Sequence, residues 1–489
     1  MSDTEEIERH HAPLSAYSPE EMRYSMRAAI VAWIFGAAFS ALASGAVLTA
    51  FLTKYLRTTD IQFGLILAAG PAAALFVFFG SHAVEMTGRT KPKMIVYMSL
   101  HRMLWLGVAG VALIWRDHPT GLAIFWVGIV FFVSTVVANY GGAGISVWLA
   151  DIVPKGQAGR YFSARSSIGM ISMTAASLIG SKIVEGRESD YRVYVGIFAV
   201  AAILGTSDIF CWFRIPEYPR PIDKATTLWD IFKIPWGNSL FRHVSLYCFL
   251  AWFAYSLLNS FIYPFFYDKV EAHGLGLGIQ ATNFYLNILP LVTMILITPL
   301  WGQAIDRFGS KPVMGIGSLS AAVLPIGWLF VHRGGGFPVQ IGSLSFQADM
   351  LMLIPVIQVI SCLLWPAVDQ GVFFVQIRGF PELKRSAYMA SFGVVISFAS
   401  MLGSILGGHL ATFWKHHMDL LPWFPNWSHY HPVFLASIII RLAAFFFLFL
   451  PLKLEGDAQY HHVAKSVATE ATTVVPKMVK SVRERRNKK

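Results

Sequence analysis

Gly302-Gln303-Ala304-Ile305-Asp306-Arg307-Phe308-Gly309-Ser310-Lys311-Pro312 stands between two long apolar runs, and Glu85-Met86-Thr87-Gly88-Arg89-Thr90-Lys91-Pro92 stands between two others. Each is a short charged hinge flanked by stretches of bilayer length. Burying such a turn in hydrocarbon costs about 2.5–3.5 kcal/mol per charge on insertion scales, so both copies are expected at a membrane face. Two copies at one face, half a chain apart, imply that the chain is built from duplicated halves.

Working outward, 55% of the 489 residues are hydrophobic and 14% charged, against about 25% charged in an average soluble domain. Apolar runs of about 20 residues, the length a helix needs to cross a bilayer, recur at roughly 28–52, 61–83, 94–115, 121–149, 161–183, 193–213, 244–267, 280–305, 313–331, 350–377, 387–413 and 432–452. The expected fold is an all-α integral membrane protein, twelve transmembrane helices in two pseudo-symmetric six-helix bundles. Its expected parts are a cytoplasmic N-terminus with a short surface helix (1–27), an N-terminal bundle (28–213), a cytoplasmic linker (214–243), a C-terminal bundle (244–453) and a basic cytoplasmic tail (454–489). Ser18-Pro19-Glu20-Glu21, with a capping Ser, Pro and a Glu three residues on, opens the surface helix.

The net charge of +11 raises nucleic acid as a partner, and its distribution argues against one. With twelve spans, 28 of the 39 Lys and Arg fall on the hinge side, nine on the other, and Arg102 and Arg441 within spans. That is the positive-inside asymmetry, which places both termini in the cytoplasm of a multi-pass protein of the cytoplasmic (inner) membrane. Cys211, Cys248 and Cys362 all lie in apolar runs and give no disulfide framework. The acidic, polar first 22 residues lack a cationic start, so the first span reads as a retained anchor. Lys477–Lys489 carries seven basic residues and one acid and reads either as a tether to anionic membrane lipid or as a disordered tail.

Three spans carry matching stripes. Trp33, Gly36, Ser40 and Ser44 sit at offsets 0, 3, 7 and 11, Trp252, Tyr255, Asn259 and Tyr263 repeat them 219 residues later, and Gln358, Ser361, Trp365 and Asp369 repeat them again. Such positions share one helical face. Helix packing accounts for small and aromatic residues there, but polar ones are costly against lipid, so the stripes are expected to line a solvent-filled cavity. Asn139 and Tyr140, near mid-depth of the fourth span, join them. Pro154 to Tyr161 and Pro381 to Tyr388 give one further internal match.

Asp369 is either a titrating or ligand-binding carboxylate or the partner of a basic group at the cytoplasmic mouth. Arg102, beside His101, snorkels, pairs with an acid or binds solute; Asp208 reads as structural, and Arg441 as buried with a partner. Asn283, Asn287, Pro290 and Pro299 mark the eighth span as one that bends. The proline-rich loop Arg214 to Arg242 reads as a connection packed into neither bundle. Arg333-Gly334-Gly335-Gly336 lacks the Lys-Ser/Thr of a phosphate loop, which argues against an ATP-driven pump. His416, His417, Trp423, Trp427, His429 and His431 lack metal-site spacing and read as interfacial aromatics and solvated His. No metal, cofactor or enzymatic constellation is expected.

These features resemble the major facilitator superfamily of transporters over about residues 28–452, and the endings of the fourth and tenth spans resemble a bacterial branch of it. The family hinge is Gly-x-x-x-Asp-Arg-x-Gly-x-Lys/Arg; Gly302, Asp306, Arg307, Gly309 and Lys311 match it, and in the first copy Gly88 and Arg89 remain, with Glu85 for the Asp and Met86 for the Arg. The resemblance implies that these charges form a cytoplasmic gate, that spans 1, 4, 7 and 10 surround a central cavity, and that the halves rock about it. Pro216-Glu217-Tyr218-Pro219-Arg220 also resembles a sugar-porter signature, with Tyr where that signature has Ser.

The expected function is secondary transport of a small, polar, mostly uncharged solute such as a sugar, glycoside or nucleoside, by a monomer. Protons or another ion are candidate partners for coupling, with Asp369 as the coupling residue. A transport-inactive sensor or assembly protein of the same fold, or a multidrug exporter, are the alternatives.

Overall fold

The computed structural model describes residues 17–452 apart from 117–119, 155–157, 219–227, 334–335, 342–343, 377–379 and 381–384. Among the described residues eleven helices are long and apolar enough to cross a bilayer: Pro19–Tyr55, Asp60–Val84, Lys91–Ile114, Gly121–Gly142, Ala164–Val184, Tyr191–Phe213, Ser239–Tyr267, Ser310–Phe330, Met350–Phe374, Tyr388–His416 and His431–Phe449. The twelfth, eighth in chain order, is assembled from Ile279–Asn283, a π-helical turn Phe284–Ile288 and Leu289–Phe308. The hinges lie at one end of this bundle. At the other, strands β1 (Gly336–Ile341) and β2 (Leu344–Asp349) form an antiparallel hairpin. We call these ends the hinge face and the hairpin face.

Local chemistry sets the helix ends. Ser18 and Glu21 cap each other, Glu21 N donating to Ser18 Oγ and Ser18 N to Glu21 Oε2. The helix they open is no separate surface element, for it runs unbroken from Pro19 to Leu42. The first span then breaks at Ser44–Gly45, where Gly45 takes a positive φ of 57°, and ends in the π-helical turn Phe51–Tyr55. Gly88, at φ 64°, closes the helix Val77–Thr87, which an L side chain would do only with strain.

One apolar core joins both halves near the hairpin face, with Phe51, Tyr194 and Phe198 from the first and Phe261, Phe265, Trp328 and Phe434 from the second. Toward the hinge face the core divides. Trp148, Trp212 and Met94 pack within the first half, while Phe241, Tyr247, Phe392 and Phe449 pack within the second. The second and eleventh spans cross backbone to backbone: a Cβ on Gly64 would lie 2.5 Å from the Ser404 carbonyl oxygen, and one on Gly408 would lie 2.6 Å from that of Asp60.

Two loop readings need correction, and a third loop holds an element the sequence reading did not include. The linker is not free of the bundles: Glu217 Oε2 accepts from Lys91 N at 2.9 Å, Lys91 Nζ donates to the Ile215 carbonyl, and Trp148 Nε1 donates to that of Pro216, while Leu228–Trp236 is a helix packed on the eleventh span. Glu217 thus caps the third span beside the degraded hinge, where the helix dipole favours an anion. His429 and His431 are not solvated but buried, at 6% and 0% exposure. Trp427 stacks on His431. The outer loop after the ninth span holds the hairpin, whose alternation of Phe337, Val339 and Ile341 is a period-two signal.

Candidate functional site

The hydrogen bonds between the two halves gather, among the described residues, on the hairpin side. Ser177 Oγ donates to Asn283 Oδ1 (2.9 Å), and Asn283 Nδ2 donates to the Ser177 carbonyl (3.1 Å) and Ser181 Oγ (3.2 Å). Asn287 Nδ2 continues the chain to Asn283 Oδ1, and Tyr263 Oη donates to Asn287 Oδ1 at 2.9 Å. The break in the first span brings Gly45 against both Asn287 and Tyr263. Glu185 accepts from Gln280 N at 2.8 Å, Lys54 Nζ donates to the Tyr267 carbonyl, and Phe63 packs on Phe261. With divided cores on the hinge side, the described residues form a cleft sealed at the hairpin face and parted toward the hinges.

The second half carries the aromatic site. Tyr255 stacks on Trp365, centroids 4.8 Å apart and 27° between planes, and Trp252 lies 6.2 Å from Trp365. Trp365 hydrogen-bonds the carboxylate of Asp369, one turn on, and Asp369 is exposed. Behind the stack, Arg441 lies 5.4 Å from the Tyr255 ring and donates to the carbonyls of Ala321 and Ala254. The partner expected for Arg441 is therefore a ring face and two carbonyls. Gln358, nearer the hairpin face, donates to the Tyr285 carbonyl at 3.2 Å, and Asn259 is exposed.

The first half is wired differently. Arg102 Nη2 meets Asp208 Oδ2 at 3.0 Å in a buried ion pair, with Trp212 Nε1 donating to the other carboxylate oxygen and the guanidinium 3.9 Å from the Phe39 ring. Gly36 belongs to this pair and not to an open stripe, since a Cβ there would lie 2.8 Å from Asp208 Oδ2. Ser40 and Ser44 donate back to the Gly36 and Ser40 carbonyls. Trp33 is pressed against Gly169 of the fifth span, where a Cβ would collide with its indole, and Arg165 lies 4.7 Å from its ring. Asn139 donates to the Thr135 carbonyl, and Tyr140 packs edge-on against Tyr97 under Lys93.

At the hinge face Gly309 has φ 87°, Gly302 faces open space, Arg89 and Arg307 are exposed and Lys311 half-buried. The side chains of Glu85 and Asp306 fall outside the described residues, as do the tail and most of the Pro381 repeat. Among the described residues no three His, Cys, Asp or Glu converge on a metal position.

The inter-half clasp of Ser177, Ser181, Asn283 and Asn287 is absent from the candidate residues of the sequence analysis. Asn283 and Asn287, one turn apart in an apolar run, were its visible signal. Separately, an apolar cavity of about 440 Å³ lies between the second, fourth and eleventh spans, lined by Leu65, Ile66, Phe125, Phe132 and Met401 with Gln62 as its polar edge.

Comparison with known proteins agrees with this architecture. The multi-drug resistance efflux pump PmrA of Streptococcus pneumoniae is 23% identical over 168 residues, 33% of this chain and 37% of that protein. Protein ZINC INDUCED FACILITATOR 1 of Arabidopsis thaliana is 25% identical over 206 residues, 40% of this chain and 38% of that protein. The chain thus matches less than two fifths of the length of either. The nucleoside transporter NupG superposes with a TM-score of 0.61 at 14% identity, covering 88% of this chain and 98% of that one. A bacterial homologue of the human lysosomal transporter Spinster, inward-facing and unoccupied, superposes at 0.59 and 14%, covering 91% and 100%. The model of the Major Facilitator Superfamily matches residues 28–372, and this multi-pass membrane protein belongs to that superfamily of transporters.

Proposed function

We propose that the protein moves a small, polar, mostly uncharged organic solute, of the sugar, glycoside or nucleoside kind, by alternating access, with its hinge face in the cytoplasm. The observation that carries this reading is the Tyr255–Trp365 stack with Trp252 beside it and the exposed Asp369 one turn away. Flat aromatic faces bind the apolar side of a ring, and an exposed carboxylate takes its hydroxyls. A phosphate ester would instead call for Arg aimed into the cleft, whereas Arg102 and Arg441 are both committed to buried contacts. The positive-inside charge distribution supports the orientation, both termini on the cytoplasmic side of the inner membrane. Glu85, Gly88, Arg89, Gly302, Asp306, Arg307, Gly309 and Lys311 are then the cytoplasmic gate.

Asp369 is the proposed coupling residue on the hinge side. Flux in proteoliposomes tests the scheme: Asp369→Asn should abolish uphill uptake and spare solute exchange, and uphill uptake unchanged by the substitution removes Asp369 from coupling. Absence of any flux, together with no solute that raises the thermal midpoint of the purified protein, would favour a sensor of the same fold. The 440 Å³ apolar cavity favours multidrug export as the second reading, and greasy cations that shift the midpoint where sugars and nucleosides do not would select it.

A further inference from the structure

A second polar knot between the halves, apart from the Ser177–Asn283 clasp, is separate from the cleft. Asp60 opens the second span in the first half, while Asp268, His429 and Tyr430 belong to the second half. The Tyr430 hydroxyl lies 3.1 Å from Asp60 Oδ1 and 3.2 Å from Asp268 Oδ2, and His429 Nε2 lies 3.5 Å from Asp60 Oδ2. Tyr430 and His429 are buried, at 2% and 6% exposure.

A proton count decides what this knot holds. A phenol has one hydrogen, so it donates to one carboxylate. The second carboxylate then faces a phenolic oxygen at hydrogen-bond distance, and two lone-pair oxygens in a buried site repel unless a hydrogen lies between them. We propose that the sealed hairpin face is a proton-binding site: Asp268 carries the extra hydrogen and donates it to Tyr430, which donates to Asp60. On opening, Asp60 parts from the other three, Asp268 meets water, and the proton returns to the solvent of that face. Closing takes it up again, so each closure binds one proton.

The surroundings assign the proton to Asp268. Asp60 has His429 and, from the eleventh span, Lys415 near it. Asp268 faces Lys54 of the first span, beside Glu188 and Lys269, and His431 and His332 lie beyond His429. Burial raises the Asp268 carboxyl above the usual range and Asp60 adds to this, while His429, Tyr430 and Lys54 pull it back. A group raised in the sealed state stabilises that state fully at low pH and ceases to do so as pH rises through its raised value.

The inference rests on the alternating-access reading, and its test does not need a solute. Spin labels on Arg187→Cys and Leu420→Cys, exposed on opposite halves, report the width of the hairpin face in the full chain in lipid nanodiscs between pH 4 and 9. The sealed population should fall as pH rises, by up to tenfold per pH unit in the steepest part, the limit for one proton. Asp268→Asn, which keeps a hydrogen to donate, should hold the face sealed at all pH values, and Tyr430→Phe should open it. A width independent of pH in the labelled wild type, or an Asp268→Asn protein that titrates like it, overturns the proposal. Solute flux with a pH-independent width would leave the transporter reading standing and remove the proton site; a titrating width without flux would do the reverse.

Discussion

The two halves share an architecture and differ in how they satisfy charge. In the first, Arg102 has found Asp208, and Gly36 and Gly205 are pressed against the pair so closely that a Cβ on either would collide with it. In the second, Arg441 is held by carbonyls and the Tyr255 ring, and Asp369 is left exposed at the cleft. The first half therefore has the build of a braced wall. The second leaves its carboxylate exposed, hydrogen-bonded along its own helix to Trp365, with its aromatic rings stacked beside it.

Breaking the ion pair should have the largest effect. Asp208→Asn leaves Arg102 buried without its counter-ion and should destabilise the protein by about 3–5 kcal/mol, read as a fall in thermal midpoint of the detergent-purified chain. The same exchange at Asp369 should leave the midpoint nearly unmoved, and equal falls at the two sites would erase the contrast between the halves. Next comes Trp365→Ala, which removes the ring on which Tyr255 stacks and Trp252 leans. It should weaken solute binding about tenfold, near 1.4 kcal/mol, with little loss of stability; unchanged affinity in a calorimetric titration would move the binding face to the Trp33 side. The smallest change expected is for Glu217→Gln, which removes the charge capping the third span and should cost about 0.3–1 kcal/mol. A midpoint shift within error would show that the linker's backbone, and not this carboxylate, holds the degraded hinge.

The twelve crossings were legible because a bilayer helix writes its length and apolarity into consecutive residues, and the hinges because charge between such runs has one place to go. Ser18 and Glu21 announced their cap through a spacing of three. Other features depend on contacts that no local period encodes. Asp208 lies 106 residues from Arg102, and nothing in either span names the other. The offsets of 0, 3, 7 and 11 brought Trp252, Tyr255, Trp365 and Asp369 together in the second half. In the first half the same offsets mixed faces, since Gly36 packs on Asp208 while Trp33 packs on Gly169. His429 and His431 read as solvated because loop composition is polar on average, and burial there is decided by partners distant in the chain, Asp60 against His429 and Phe265 against His431.

Where Gly64 and Gly408 let the second and eleventh spans touch main chain to main chain, neither glycine puts a side chain between the two backbones. Turning one helix over the other at such a point changes few rotamers and exposes little apolar area. The crossing is thus suited to serve as a bearing, a smooth axle on which two rigid bodies swivel while the latches elsewhere are made and undone. A bulkier residue at either glycine would act as grit in it.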